Sequence, residues 1–148
     1  FKIVTPKISL AVLGSGSWAT ALVKILTDSG VHVHWYVRNP QQAQIIKTTF
    51  KNPNYLTSVK FRPRKITIST DINEVVSCCD WIVLAIPSVF LLSELKLINK
   101  PIDKKSNSKL CFGFAISFPS NSKTKSDENS VSYIVNNVYS DQEYAAQN

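Results

Sequence analysis

The sequence predicts an α/β fold in which a doubly wound parallel sheet carries helices on both faces. Three observations lead there. Apolar, β-branched runs alternate along the chain with segments of helical period. The first such run ends in a glycine-rich turn that opens directly into a helical pattern. The strongest run, residues 81–86, is stopped by Pro87 with a further helical pattern behind it. A length of 148 residues is enough for one core of ordinary size, and 44% hydrophobic residues is a globular composition.

The elements follow in order. Residues 8–13 are nearly continuously apolar, as a buried parallel strand requires. Residues 17–29 form a helix whose apolar face is Ala21, Leu22, Val23, Ile25 and Leu26, with Gly30 in the place of a C-terminal glycine cap. Residues 31–37 alternate and are β-rich, so they make a second strand. Pro40 suits the first turn of a helix through residues 41–46. Residues 51–65, with Pro53, Pro63 and two asparagines, read as an irregular surface loop. A short strand at 66–69 precedes Asp71, an N-cap with Glu74 three residues on, for a helix through Ser77. The strand at 81–86 and a helix at 88–98, apolar at Phe90, Leu91, Leu92, Leu95 and Ile98, complete a domain at 1–105. Residues 106–148 read as a divergent tail: a polar stretch at 104–109 leads into it, 110–118 can supply one more strand, 119–130 have little to bury, and 131–148 can form a weak helix.

Chemistry concentrates in Gly14-Ser15-Gly16-Ser17-Trp18-Ala19. Gly14 permits the tight turn out of the strand. Gly16, without a side chain, lets a pyrophosphate approach the backbone, and Ala19 is small enough in place of a third glycine for helix and strand to pack. Open backbone N–H groups at the positive end of the helix then favour phosphates. This is the fingerprint of a Rossmann-type dinucleotide site, so NADP or NAD is the expected cofactor. Trp18 has two readings, a ring that covers the cofactor or one that packs under the helix. The cofactor is chosen at the end of the second strand, where an acid grips the ribose of NAD and an arginine accepts the 2′-phosphate of NADP. Here Arg38 stands 22 positions after Gly16, followed by Asn39 with no acid, which favours NADP(H). Pro87 and Ser88 follow the strongest strand at the edge that lines the ligand crevice in such sheets, where the backbone can contact the cofactor or Ser88 can cap the next helix.

Other classes of function find less support. The net charge is +7, but the lysines are scattered and no aromatic platform accompanies them, which argues against nucleic acid. No apolar run approaches the roughly 20 residues of a membrane helix. Residues 1–7 do not resemble a secretory signal, and the absence of methionine reads as a trimmed start or a piece of a longer chain. Cys78, Cys79 and Cys111 make no disulfide framework and lack zinc-ligand spacing, which suits reduced thiols in a cytoplasmic protein. His32 and His34 share a strand face, but no cysteine or carboxylate lies close in sequence to complete a metal set, so no metal is expected.

Four motifs in order resemble the bacterial-type NAD(P)-dependent glycerol-3-phosphate dehydrogenases: Gly14 to Leu22, Trp35-Tyr36-Val37-Arg38-Asn39-Pro40, Asn52-Pro53-Asn54-Tyr55-Leu56 and Ala85-Ile86-Pro87-Ser88. The resemblance covers roughly residues 8–100. It implies that Ser17 and Trp18 contact the cofactor and that Arg38 helps hold its adenosine end. It also implies a small phosphorylated substrate, dihydroxyacetone phosphate, reduced to sn-glycerol 3-phosphate for phospholipid synthesis. In that family a lysine of a following helical domain polarises the substrate carbonyl, so no catalytic residue is assigned here, and that domain is expected to be absent from these 148 residues. The family's Ala-x-Lys-Gly motif has its nearest counterpart in Phe114-Ala115-Ile116-Ser117-Phe118, with Ser117 in the place of lysine. The sequence leaves a homo-oligomer open.

Overall fold

The computed structural model describes residues 8–79, 81–99 and 111–113. Among these, five strands form one parallel sheet: β1 (Ser9–Leu13), β2 (His32–Tyr36), β3 (Ile66–Ser69), β4 (Trp81–Leu84) and β5 (Cys111–Gly113). Their order is β3-β2-β1-β4-β5, so the chain steps outward from β1 to β3 and then crosses back to build the other half from β4. The reversal places a switch point between β1 and β4, where an open sheet of this kind leaves a crevice at its carboxyl ends. The helices are α1 (Ser17–Asp28), α2 (Pro40–Thr49), α3 (Ile72–Ser77) and α4 (Ser88–Leu95).

Local chemistry explains the helix ends. Gly30 has φ +87°, and its N–H reaches the Thr27 carbonyl at 3.1 Å while Val31 N–H reaches Leu26 at 3.0 Å. That pair of bonds is a Schellman closure, and the residues it brings together, Leu26 and Val31, pack against one core cluster. Asn39 caps α2 by accepting from Gln42 N–H at 3.0 Å, with Pro40 in the first turn. Asp71 caps α3 through Asn73 N–H at 2.9 Å. Glu74 does not reach back to Asp71 directly, as a capping box would. It accepts from Ser69 Oγ at 2.6 Å, and that hydroxyl accepts from Asp71 N–H at 3.1 Å, so a side chain from β3 relays the contact.

The strands alternate between two cores. Val12, Val33, Trp35 and Val37 face α1 and α2, while Ala11, Leu13 and Tyr36 face α3 and α4. Within the described residues the expected strands and helices form, most of them a few residues shorter than the sequence pattern suggests, and α2 runs three residues beyond Ile46 to Thr49. The surface-loop reading of 51–65 holds for most of the segment, which is irregular and exposed, with two exceptions: Asn52 and Phe61 are buried, and Pro63–Lys65 form a 3₁₀ turn. Phe61 packs edge-on against Trp35 with ring centroids 5.2 Å apart, so the loop closes the core rather than lying over it. Of the tail, β5 lies within the described residues and pairs with β4; the expectations for 119–130 and 131–148, and Ser117, lie outside them. No helix among the described residues is long and apolar enough to cross a membrane.

Candidate functional site

The turn between β1 and α1 contains two glycines that are there for different reasons. Gly14 has φ +123°, and a Cβ there would collide with the Ala85 carbonyl oxygen and lie 2.8 Å from its carbon. The close approach has a cause: Ala85 N–H bonds the Leu13 carbonyl at 2.8 Å and Gly14 N–H bonds Tyr36 at 3.3 Å, drawing the three strand ends together. Gly16 has an ordinary φ of −78°, and a Cβ there would meet no protein atom within 4 Å. The fold therefore does not demand glycine at 16; the space beside it does.

That space is a cavity of about 290 Å³ at the carboxyl ends of β1, β2 and β4. Gly14, Ser15 and Gly16 form one wall, Tyr36 and Arg38 the second, and Ile86, Pro87, Phe90 and Glu94 the third. The first-turn amides of the twelve-residue α1 have no acceptor within the helix and start at this wall. The arrangement fits an anionic pyrophosphate: bare backbone at Gly16, helix amides beside it, and room for a ligand in front.

Buried amides hold the turn in place. Gln42 Nε2 donates to the Ser15 carbonyl at 3.2 Å and to Asn52 Oδ1 at 3.0 Å. Asn52 Nδ2 donates to Ser15 at 3.4 Å and to Thr20 Oγ1 at 2.8 Å, and Thr20 Oγ1 donates to the Gly16 carbonyl at 2.6 Å. The Trp35 indole N–H donates to the Gly14 carbonyl from below. Every carbonyl from Gly14 to Gly16 is thus engaged from the protein side, which turns the adjoining N–H groups toward the cavity. Among the described residues no buried side-chain nitrogen or oxygen is left without a partner.

A second polar group sits opposite. Glu94 is buried and takes two donors: Tyr36 Oη at 2.8 Å and Arg38 Nη1 at 2.9 Å. The Arg38 side chain is 70% exposed, so its guanidinium is anchored at one edge and open at the rest. Burial, and then the hydrogen bond to Glu94, push the Tyr36 phenol up to about 12.

The sequence-predicted residues divide accordingly. Gly14, Ser15, Gly16, Arg38 and Pro87 converge on the cavity. Ala19 is fully buried, in keeping with a small residue that lets helix and strand pack. Ser17 and Trp18 are exposed on α1 and are not among the residues that wall the cavity, so Trp18 does not pack under the helix. Pro87 occupies the N-cap of α4 and Ser88 is its first helical residue, which corrects the reading of Ser88 as the cap. Sequence reasoning missed Glu94, Gln42 and Asn52. Glu94 carried a signal: it is an acid three residues after Leu91 on the otherwise apolar stripe of α4. Asn52 lay in a stretch with no periodicity to read.

Comparison with known proteins shows the family. The family described as NAD-dependent glycerol-3-phosphate dehydrogenase N-terminus matches residues 9–133. The glycerol-3-phosphate dehydrogenase [NAD(P)+] of Pseudomonas savastanoi pv. phaseolicola is 36% identical over 107 residues, covering 72% of this chain and 30% of that protein. That of Thermobifida fusca is 36% identical over 96 residues, covering 64% of this chain and 28% of that protein. The chain thus spans less than a third of the length of these curated relatives. Among solved structures, Plasmodium falciparum glycerol-3-phosphate dehydrogenase superposes with a TM-score of 0.59 at 23% identity, over 72% of this chain and 31% of that one, which shows a shared fold. With a match over most of its residues, and the glycine turn, the strand order and the cavity in place, the chain belongs to the N-terminal family of the NAD-dependent glycerol-3-phosphate dehydrogenases.

Proposed function

We propose that this chain is the dinucleotide-binding part of a glycerol-3-phosphate dehydrogenase that uses NADP(H) or NAD(H) to reduce dihydroxyacetone phosphate to sn-glycerol 3-phosphate, in the cytoplasm. The observation that carries the proposal is the open face of Gly16 at the β1–β4 switch point, where bare backbone and helix amides meet a cavity. When bound, the nicotinamide supplies hydride. The chain's own residues bind and orient. Ser15 and Gly16 present backbone to the pyrophosphate, Arg38 holds the adenosine end and favours a 2′-phosphate, and Pro87 backs the ribose or nicotinamide. Ser17 and Trp18 join from the helix surface, as the resemblance implies, and the Ser88 backbone opens the helix beside them.

A second reading is a chain that holds NADP(H) without turning it over. It is favoured by Ser117 in the place where the resemblance expects a lysine, and among the described residues none of those that wall the cavity is a lysine. Two measurements decide, the first on the purified chain and the second on the chain supplied with the helical domain of a relative, from which the resemblance takes the catalytic lysine. Quenching of NADPH fluorescence is expected on either reading. Oxidation of NADPH on adding dihydroxyacetone phosphate marks the dehydrogenase; saturable binding with no turnover marks the binding module. A folded chain that leaves NADPH fluorescence unchanged overturns both.

A further inference from the structure

The face of β2 that carries Tyr36 at its carboxyl end carries His34 nearer its amino end, away from the cavity, and a second polar set gathers there. His34 is half-buried, Cys78 is exposed and Cys79 is buried. Cys78 Sγ lies 3.4 Å from His34 Nδ1 and 3.8 Å from Cys79 Sγ, and one donor atom from each of the three residues falls within 4.8 Å of the others. A tetrahedral zinc ion, with Zn–S of about 2.3 Å and Zn–N of about 2.0 Å, sets two sulfurs about 3.8 Å apart and a sulfur and a nitrogen about 3.5 Å apart. Two of the three edges already have those lengths.

We propose that His34, Cys78 and Cys79 form a three-ligand site for a thiophilic d¹⁰ cation of the zinc class, with the fourth position open to solvent on the Cys78 side. The donor set suits such an ion, since imidazole and thiolate are its preferred ligands. The surroundings hold the donors in place. Ser9 Oγ donates to the Cys78 carbonyl at 3.0 Å and pins the end of α3 against β1. His32 is engaged by Thr67 Oγ1 at 2.8 Å on the neighbouring strand, which leaves His34 as the imidazole beside the thiols. Loading exchanges protons for metal: Zn²⁺ enters as the two thiols release two protons to water, so affinity rises with pH. The sequence could not show the set, because His34 and Cys78 are 44 residues apart and meet only when the chain crosses back from β3 through α3.

The reduced full chain, equilibrated with Zn²⁺ against a chromogenic chelator and separately with Co²⁺, tests the site. One zinc per chain is expected, together with a sulfur-to-cobalt charge-transfer band in the near ultraviolet. Both weaken at least about tenfold in Cys78→Ser and in His34→Gln, and neither changes in Cys111→Ser. Cys78 is exposed, so Cys78→Ser keeps the fold, which circular dichroism verifies. Retention of zinc by Cys78→Ser, its loss in Cys111→Ser, or no zinc held by the parent chain overturns the proposal.

Discussion

One face of β2 ends in two different kinds of polar chemistry. At the carboxyl end, Tyr36 and Arg38 converge on a buried carboxylate, and across the cavity buried amides lock the carbonyls of the glycine turn. Further toward the amino end, at mid-strand, His34 meets the exposed thiol of Cys78, which in turn touches the buried thiol of Cys79. The carboxyl end is built of hard, charged or amide groups whose partners are fixed inside the fold. On the proposed function, an anion that arrives there requires little rearrangement of these groups. The amino end is built of soft donors that face one another. The same sheet face thus carries a locked polar network beside the cavity at one end and soft donor atoms further along, and substitutions in the two places should differ in what they disturb.

The largest effect is expected at Gly14. Gly14→Ala forces a Cβ against the Ala85 carbonyl at a backbone angle that disfavours side chains, and should remove about 3 kcal/mol or more of unfolding free energy in urea titrations. A loss below about 1 kcal/mol would mean that the β1–β4 approach is looser than described. Asn52→Ala strips partners from Gln42, Thr20 and the Ser15 carbonyl together, and should cost about 2 kcal/mol while weakening NADPH. Cys78→Ser at the other end, in the absence of metal, should change stability by less than about 0.5 kcal/mol. Equal losses for these two would erase the contrast between a locked end and a loose one.

Smaller effects sharpen the contrast. Arg38→Ala should weaken NADPH more than NADH by on the order of 1.5 kcal/mol, about tenfold, by fluorescence titration. Equal losses for the two cofactors would remove 2′-phosphate recognition from Arg38. Tyr36 is held neutral in the fold, with a phenol raised from 10.0 to about 12. Between those values the unfolded chain has lost a proton that the fold retains, so stability falls as pH rises from 10 toward 12. Tyr36→Phe should abolish that part of the alkaline loss. His34 works in the opposite direction and more weakly. Its folded pKa lies below 6.5, so as pH falls past 6.5 the unfolded chain takes up a proton first and stability declines, levelling off below the folded value. His34→Gln should flatten that acid slope, measured by urea midpoints across pH.

Whatever was local in sequence was legible. The glycine turn, the Pro40 start of α2, the Asp71 cap and the Gly30 closure are each set within a few residues, so composition and spacing announce them. The family resemblance rested on four such local motifs. Contacts made across the fold were hidden. Tyr36 meets Glu94 over 58 residues and Asn52 meets Thr20 over 32, and no periodicity links either pair. In 51–65 proline and asparagine correctly mark an irregular and mostly exposed segment, but nothing local marks Asn52, which is buried where its amide bonds the turn. Arg38 was located correctly in the chain, yet its pairing with Glu94 depends on where α4 comes to rest.

Gly16 offers the most direct test of the proposed dinucleotide site, because a side chain added there meets no protein atom within 4 Å, whereas one at Gly14 collides with Ala85. NADPH should titrate the parent chain to saturation, and Gly16→Val should melt within about 1 kcal/mol of the parent while binding NADPH at least about tenfold more weakly, the added methyl groups standing where the pyrophosphate lies. A folded Gly16→Val chain that binds NADPH as the parent does would contradict the account.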